Sequence, residues 1–328
     1  MTVGITKAVK KIRWAIIGTG RIANTFASDL QNTSDCIIEA VASRNQGRSD
    51  AFAIKYGIKK AYDSYEKIAA DPDIDAVYIA TPHVFHKVNT IMCLRAKKAI
   101  LCEKPMAINT KEMKEMIQVA KEEDVFLMEG MWTRFKPTIV ELRKLLAGNA
   151  IGQIRYMKSD FGYMIDDDHN PDERILNKKL GGGAVLDVGV YSLAMAQMVF
   201  KDQPLSIVSK QIKGDTDVDL QSMAFLEYPN HAAVMMHSAI NVNTRSEVYI
   251  VGTLGNILLP DAWFGNTMII TLDDGKIETY SFENWGKNYT FEIDAVNKAI
   301  RDGKKEHEGM TLDDSLAIME MVDQINNQ

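Results

Sequence analysis

The first 130 residues alternate short, continuously apolar runs with stretches of helical period, and this alternation constrains the fold more than any other feature of the sequence. The runs Arg13–Ile17, Ile37–Ser43, Ala76–Ala80, Ala99–Glu103 and Val125–Glu129 predict strands. Between them, Ile22, Ala23, Phe26, Ala27 and Leu30 share one helical face, as do Met113, Met116, Ile117 and Ala120. Strands apolar on both faces and joined by crossover helices belong in a parallel sheet covered on both sides, which excludes a helical bundle and an all-β sandwich. Asn109 and Glu112 predict the start of the second helix, with the Glu112 carboxylate reaching back to the free amide at the cap.

The rhythm then changes. A helix near Thr138–Leu146 precedes a long strand pattern, Ile151–Tyr163, a polar loop, Asp166–Lys179, and a glycine-led helix from Gly183 to Phe200. From Leu205 to Ser281 strand-like segments alternate with turn signals: Lys213-Gly214-Asp215, Pro229-Asn230 and Asp273-Asp274-Gly275. Two helices, Phe291–Ile300 and Leu312–Ile325, close the chain, the latter opened by a capping box of Thr311 and Asp314. At 328 residues there is room for two domains, and the expected boundary lies at 130/131.

A 46% hydrophobic and 25% charged composition is that of a globular chain, not a disordered or collagen-like one. The net charge of −6 gives no positive field for nucleic acid or anionic lipid. Val188–Phe200, the longest uncharged apolar stretch, is 13 residues and carries Ser192 and Gln197, too short and too polar for a bilayer. The apolar run Trp14–Ile17 is too brief for a secretion signal, although Lys7, Lys10, Lys11 and Arg13 precede it. Cys36, Cys93 and Cys102 are odd in number and lie in apolar segments, which fits a reducing compartment; the cytosol is expected.

Gly18-Thr19-Gly20-Arg21-Ile22-Ala23 stands where the first strand gives way to the first helix, the context in which G-x-G-x-x-A has physical meaning. Gly18 permits the turn, Gly20 lets the backbone approach a pyrophosphate, and Ala23 allows close packing of helix on strand. The free amides of the helix N-terminus then face the phosphates. An NAD site usually carries an acid at the end of the second strand, whereas Ser43 and Arg44 stand here; a hydroxyl donor and a guanidinium fork welcome a 2′-phosphate, so NADP(H) is expected over NAD(H). An arginine that merely faces solvent is the plain alternative for Arg44.

Three further segments carry chemistry. Thr81-Pro82-His83-Val84-Phe85-His86 follows the strand Ala76–Ala80, and Glu103-Lys104-Pro105 ends the strand Ala99–Glu103. The third is Gly181-Gly182-Gly183-Ala184-Val185-Leu186-Asp187-Val188-Gly189-Val190-Tyr191. In an open parallel sheet ligands bind beyond the carboxyl ends of the strands, which aims Lys104 at a docked nucleotide. Asp187 and Tyr191 are four residues apart and share one face of a helix.

In order, G-x-G-x-x-A, T-P-x-x-x-H, E-K-P and G-G-G-x-x-x-D-x-G-x-[HY] resemble the Gfo/Idh/MocA family over both domains. Met128-Glu129-Gly130-Met131-Trp132-Thr133-Arg134-Phe135 further resembles the branch of dimeric dihydrodiol dehydrogenase and glucose-fructose oxidoreductase. Many members carry histidine where Tyr191 stands and asparagine where His83 stands, so histidine-based mechanisms are not carried over. The resemblance implies an α/β chain: a Rossmann doubly wound parallel sheet over 1–130 that binds the cofactor, and an α+β domain over 131–328 with a large, mostly antiparallel open sheet for substrate binding and self-association. It implies a homodimer or larger oligomer. It also implies a catalytic group of Lys104, Asp187 and Tyr191, a substrate wall of His83, Trp132, Phe161 and Trp263, and cofactor contacts from residues 18–23, Ser43, Arg44, Thr81, Pro82, His83, His86, Glu103 and Lys104.

Hydride transfer between a nicotinamide and a hydroxyl or carbonyl needs an acid or base at the substrate oxygen. Either Tyr191 or Lys104 fills that role on this reading. A protonated Lys104 favours the Tyr191 phenolate, and Asp187 positions the lysine or a substrate hydroxyl. The expected substrate is a small neutral sugar, polyol or cyclic diol, since no arginine cluster marks a phosphate site. An NAD(H)-linked sugar or inositol dehydrogenase and a non-catalytic NADP sensor are the alternatives. His83 and His86 lack further ligands at metal-site spacing, so no metal is expected, and Asp166-Asp167-Asp168-His169 reads as a solvated acidic run.

Overall fold

The computed structural model describes residues 11–165, 170, 172–283 and 286–328; the run Asp166–His169 lies outside them. Six strands form the first sheet: β1 Ile12–Ile17, β2 Cys36–Ala42, β3 Lys60–Tyr62, β4 Ala76–Ile79, β5 Ala99–Glu103 and β6 Leu127–Gly130. Their order is β3-β2-β1-β4-β5-β6 and every pairing is parallel, the doubly wound arrangement. β1, β4 and β5 are almost wholly buried on both faces, which is why they read as unbroken apolar runs. The edge strand β3 escaped the sequence reading because three residues, Lys-Ala-Tyr, carry no period. The strand order reverses between β1 and β4, so the crevice beyond their carboxyl ends is flanked by Gly18 on one side and Ala80-Thr81 on the other.

Gly18 has φ +107°, and a Cβ there would stand 2.5 Å from the Ala80 carbonyl oxygen, so only glycine lets the first turn lie against the neighbouring strand end. Helix α1 (Arg21–Leu30) follows with Gly20 at its N-cap and no side chain closing its first amides. In the helix Thr110–Glu123 the cap differs from expectation: the Asn109 side chain accepts the Glu112 amide at 2.9 Å, and the Glu112 carboxylate pairs instead with Lys87 at 3.4 Å. The lysine offers a full charge where the cap offers one amide.

The second sheet holds β7 Ile154–Gly162, β8 Ser206–Lys213, β9 Asp219–Tyr228, β10 Ala232–Ala239, β11 Val248–Gly252, β12 Gly255–Leu259, β13 Thr267–Leu272 and β14 Ile277–Ser281. Its order is β14-β13-β12-β11-β7-β10-β9-β8, antiparallel except where β7 lies parallel to β10. Along β9 burial alternates, with Ala224, Leu226 and Tyr228 inward and Met223, Phe225 and Glu227 outward. The helical run Lys178–Phe200 is long and apolar enough to cross a membrane by length and composition, more than the 13-residue stretch suggested, and 83% of its most apolar window is buried inside the protein as a core helix. It does not start as an α-helix: Val185–Gly189 forms a wide π-turn before the α-helix Val190–Phe200.

The chain ends by returning to the first sheet. Helices Tyr289–Arg301 and Leu312–Asn326 are where expected, the second with the Thr311/Asp314 capping box in place. Trp14 donates its indole N–H to Asn297 at 2.9 Å, and the buried Asp29 carboxylate accepts the amides of Lys287 and Tyr289. Late sequence is thereby tied to the rim of the nucleotide crevice. Cys36, Cys93 and Cys102 are all buried and free.

Candidate functional site

A cleft of about 720 Å³ opens between the two sheets. From the first domain come Arg21 and Ile22 of the first helical turn, Thr81, His83 and His86 after β4, and Glu103 and Lys104 at the end of β5. From the second come Trp132, Phe161, Tyr163, Arg174, Asp187, Tyr191 and Phe264.

Asp187 organises the centre. Its Oδ2 accepts from the Tyr163 hydroxyl at 2.7 Å and its Oδ1 from Arg174 at 2.8 Å, with Lys104 Nζ 3.6 Å from the same Oδ1. Lys104 also donates to the Asp187 main-chain carbonyl at 2.5 Å, which is exposed to it by the π-turn. Burial pushes the Asp187 carboxyl upward, but Lys104, Arg174 and Tyr163 outweigh it and hold the group well below the usual carboxylate range. Burial pulls the Lys104 amine below its ordinary value, while Asp187 opposes that fall. A buried cation and anion in contact each depend on the other remaining charged.

Tyr191 differs from the sequence reading in one respect. Lys104 Nζ lies over its ring, 4.8 Å from the centroid, rather than at its hydroxyl, and burial raises the phenol well above its ordinary pKa. Lys104 therefore does not favour a phenolate here; Tyr191 is a neutral phenol under a cation–π contact. Its oxygen accepts the Trp132 indole N–H at 3.0 Å, which leaves its own proton free for the cleft.

The histidines are held neutral. His83 Nδ1 donates to the Gly181 carbonyl at 2.9 Å and Nε2 faces Arg174 at 3.5 Å, and burial together with that guanidinium drives its pKa far down. His86, fully buried and pushed to about 4 by burial, has carbonyl oxygens of Pro105 and Thr81 beside its two nitrogens, at 2.9 and 2.8 Å. A neutral ring donates to one of these at a time. Its bonds tie the turns after β4 and β5 together. Glu103 accepts from the Tyr78 hydroxyl and from the Lys104 amide, and burial pushes its carboxyl up to about 7.

The glycine run fixes the approach to Asp187. Gly183 has φ +113°, and a Cβ there would meet Asp219 Oδ1 at 2.0 Å; the same carboxylate accepts the Val185 amide at 2.8 Å and so seats the π-turn. Lys104, Asp187 and Tyr191 thus converge, with His83, Trp132 and Phe161 around them. Trp263 does not line the cleft. It is fully buried, stacks behind Phe161 with centroids 5.5 Å apart, and donates to the Asp160 carbonyl, while its neighbour Phe264 supplies the exposed wall.

Among the nucleotide residues, Gly20 has nothing within 4 Å of a Cβ position, so the space over the first amides is open, and Thr19 and Gly20 line an adjoining groove with Arg48 and Lys55. Open backbone, unsatisfied helix amides and a flanking switch point fit a dinucleotide pyrophosphate. Ala23 is fully buried, as close helix packing requires. Pro82 introduces the short helical turn His83–Phe85. Ser43 turns its hydroxyl onto the Asn45 main chain at 2.7 Å, whereas Arg44 remains exposed with its guanidinium 5.4 Å from the Phe85 ring centre. Among the described residues no three histidine, cysteine or acidic side chains gather as a metal site.

Sequence reasoning missed Arg174, Tyr163, Phe264 and the loop 286–289. Arg174 sits in a charged polar loop, where nothing distinguishes it from neighbouring lysines and acids. Phe264 adjoins the tryptophan to which the family resemblance had assigned the wall. Phe161 and Tyr163 are alternate residues near the end of one strand, and that spacing is a usable signal.

Together, an open dinucleotide crevice and a buried lysine, carboxylate and phenol at its mouth define a nicotinamide-dependent oxidoreductase. Comparison with known proteins agrees. Residues 12–131 match the oxidoreductase family with an NAD-binding Rossmann fold, and residues 139–258 match the GFO/IDH/MocA C-terminal domain. The chain is 34% identical over 328 residues to trans-1,2-dihydrobenzene-1,2-diol dehydrogenase of Danio rerio, covering 97% of this chain and 96% of that protein. Among solved structures, aldose-aldose oxidoreductase from Caulobacter crescentus, complexed with glycerol, superposes with a TM-score of 0.88 at 26% identity, covering 97% of each chain. Levoglucosan dehydrogenase, complexed with NADH and levoglucosan, shares the fold with a TM-score of 0.90 at 20% identity, again over 97% of each chain. The protein belongs to the Gfo/Idh/MocA family, NAD(P)-binding oxidoreductases that act on CH–OH groups.

Proposed function

We propose that this protein is an NADP(H)-dependent oxidoreductase of a small neutral cyclic diol, sugar or polyol, with Lys104, Asp187 and Tyr191 as its catalytic group. The observation that carries this reading is the convergence of Lys104 Nζ and the Tyr191 phenol, from opposite domains, in one cleft over the Asp187 carboxylate. The aromatic wall of Trp132, Phe161 and Phe264 suits the apolar face of a ring, as in a dihydrodiol or an aldose, the substrates named for two of its relatives.

Residues 18–23, Thr81 and Lys104 would hold the nucleotide, which when bound exchanges hydride with the substrate carbon. In reduction, the Lys104 ammonium polarises the substrate oxygen and the Tyr191 phenol gives it a proton, which solvent returns to the phenolate once product has left. Asp187 keeps Lys104 charged and aimed, and Arg174 and Tyr163 keep Asp187 in place. With its amine pulled down by burial, Lys104 loses its proton below its ordinary value near 10.5. Reductive kcat/KM is therefore expected to be level near neutrality and to fall on the alkaline side. Lys104→Met is expected to lower kcat by about 10²–10⁴-fold and to abolish that limb while NADPH still binds. A limb that survives the substitution contradicts the role. NADPH binding without oxidation of the nucleotide over a panel of aldoses, polyols, diols and their carbonyl forms favours a sensor instead.

For the nucleotide, the absence of a carboxylate at the end of β2 and the exposed Arg44 favour NADP(H). The Ser43 hydroxyl already closes its own turn, so the 2′-phosphate falls to Arg44. Arg44→Ala is expected to lower the NADP:NAD ratio of kcat/KM by about tenfold or more; an unchanged ratio rules the assignment out. Three buried free thiols support a cytosolic setting.

The open sheet face supports self-association. Val208, Met223, Phe225 and Met235, from three adjacent strands, are 39–66% exposed side by side. We infer a homodimer through this face. Phe225→Glu is expected to convert it to monomer in sedimentation equilibrium, and a wild type that sediments as a monomer at micromolar concentration contradicts it.

A further inference from the structure

Lys136 is 1% exposed, an unusual place for a lysine, and it is not part of the cleft wall. It sits just ahead of the helix Pro137–Ala147, and its ammonium donates to three main-chain carbonyls of one turn: Ala262 at 3.2 Å, Trp263 at 2.8 Å and Gly265 at 2.6 Å. Three N–H groups meet three acceptors, so the ammonium is fully used and carries no bond to a carboxylate. The residue skipped is Phe264. Lys136 does not bond its carbonyl; instead its ring stands 57% exposed at the cleft, 5.9 Å from both Trp132 and Phe161.

Carbonyls of one turn converging on a single point repel one another and are costly to bury unpaired. A cation of three donors is the group that makes the arrangement favourable. The rest of the turn is tied down at its edges: Ala262 donates to Ser246, the Trp263 indole to Asp160, and the Phe264 and Gly265 amides to Asp261. Among the described residues, the Lys136 ammonium is the group that holds the inward-facing carbonyls of Ala262, Trp263 and Gly265. The Lys136 Nζ also lies 5.8 Å from the Trp132 ring centre, so one buried cation touches both the turn bearing Phe264 and the indole that holds the Tyr191 hydroxyl.

We propose that Lys136 is a positioning residue that sets substrate selectivity: its ammonium clamps the turn 262–265 and thereby fixes the Phe264 ring as the outer wall of the substrate site. This rests on the cleft being the substrate site. Loss of the clamp frees Phe264, while Lys104 and Asp187 keep each other and the Trp132 indole keeps its own bond to Tyr191 and its stack on Tyr289, so the change falls on substrate affinity rather than on the chemical step.

The test compares full-length wild type, Lys136→Met, Phe264→Ala and the double variant by amide hydrogen exchange and by steady-state kinetics with NADPH. Lys136→Met is expected to speed exchange in residues 260–266 by about tenfold, with the first sheet unchanged. It is expected to raise substrate KM by about fivefold or more, with kcat and NADPH affinity held within about threefold. Phe264→Ala is expected to raise KM to a similar extent, and the double variant no further than the larger single effect. Additive KM effects, unchanged exchange at 260–266, or a parallel fall in kcat, NADPH affinity and KM-independent stability overturn the proposal. Should Lys136→Met fail to fold, Lys136→Gln, which keeps two donors, is expected to give smaller changes in the same direction; unchanged exchange in that variant also overturns it. The exchange measurement needs no substrate. A wild type without turnover would therefore refute the oxidoreductase reading while leaving the clamp testable.

Discussion

The buried ion cluster around Asp187 is the contact on which the rest of the site depends. One carboxylate from the second domain meets an ammonium just after the end of β5, a guanidinium from the loop before the glycine run, and a phenol just after β7. Each of these groups is expensive to bury alone and tolerable only in company. Removing the carboxylate would leave the buried Lys104 ammonium facing the Arg174 guanidinium without its partner, a loss of about 3–5 kcal/mol for a fully buried pair and less where the cleft admits solvent. The cluster is therefore both a weld between domains and the source of the local field.

That field explains the protonation states. Burial, seconded by the Arg174 and Lys104 charges, keeps His83 neutral, and burial keeps Tyr191 a phenol, so the cleft offers the Tyr191 hydroxyl proton and an ammonium rather than an imidazolium. On the proposed reading, acid–base work at a substrate oxygen falls to lysine and tyrosine rather than to the histidines. The buried Glu103, lifted to about 7, sits beneath the lysine without spending a second full charge on it.

The fold was legible where physics acts locally. Parallel strands buried on both faces spell out apolar runs, a glycine turn that must lie against Ala80 can be nothing else, and the capping box at Thr311 is a local bond read from four residues. Lys104, Asp187 and Tyr191 were legible because each follows a strand end or glycine run in a recognisable order. What was not legible depends on distant chain. The Glu112 carboxylate left its cap for Lys87, from a helix 25 residues earlier in sequence. The π-turn at Val185–Gly189 is imposed by Asp219, 34 residues on, and turns a simple helical face into one that also exposes a main-chain carbonyl to Lys104. Arg174 and Lys136 are ordinary basic residues in sequence, and only tertiary packing buries Lys136 and sets the half-buried Arg174 on Asp187. Trp263 was carried into the wall by the family resemblance, while the turn places the indole behind and the smaller Phe264 in front.

The central claim is that the reacting end of a bound nicotinamide lies between the Lys104 ammonium and the Tyr191 phenol. A crystal structure with NADP(H) measures this directly. The account predicts the nicotinamide C4 within about 5 Å of both Lys104 Nζ and Tyr191 Oη, close enough for a substrate oxygen and carbon to bridge them. A nucleotide bound along the glycine turn with its nicotinamide directed away from those two groups would contradict it.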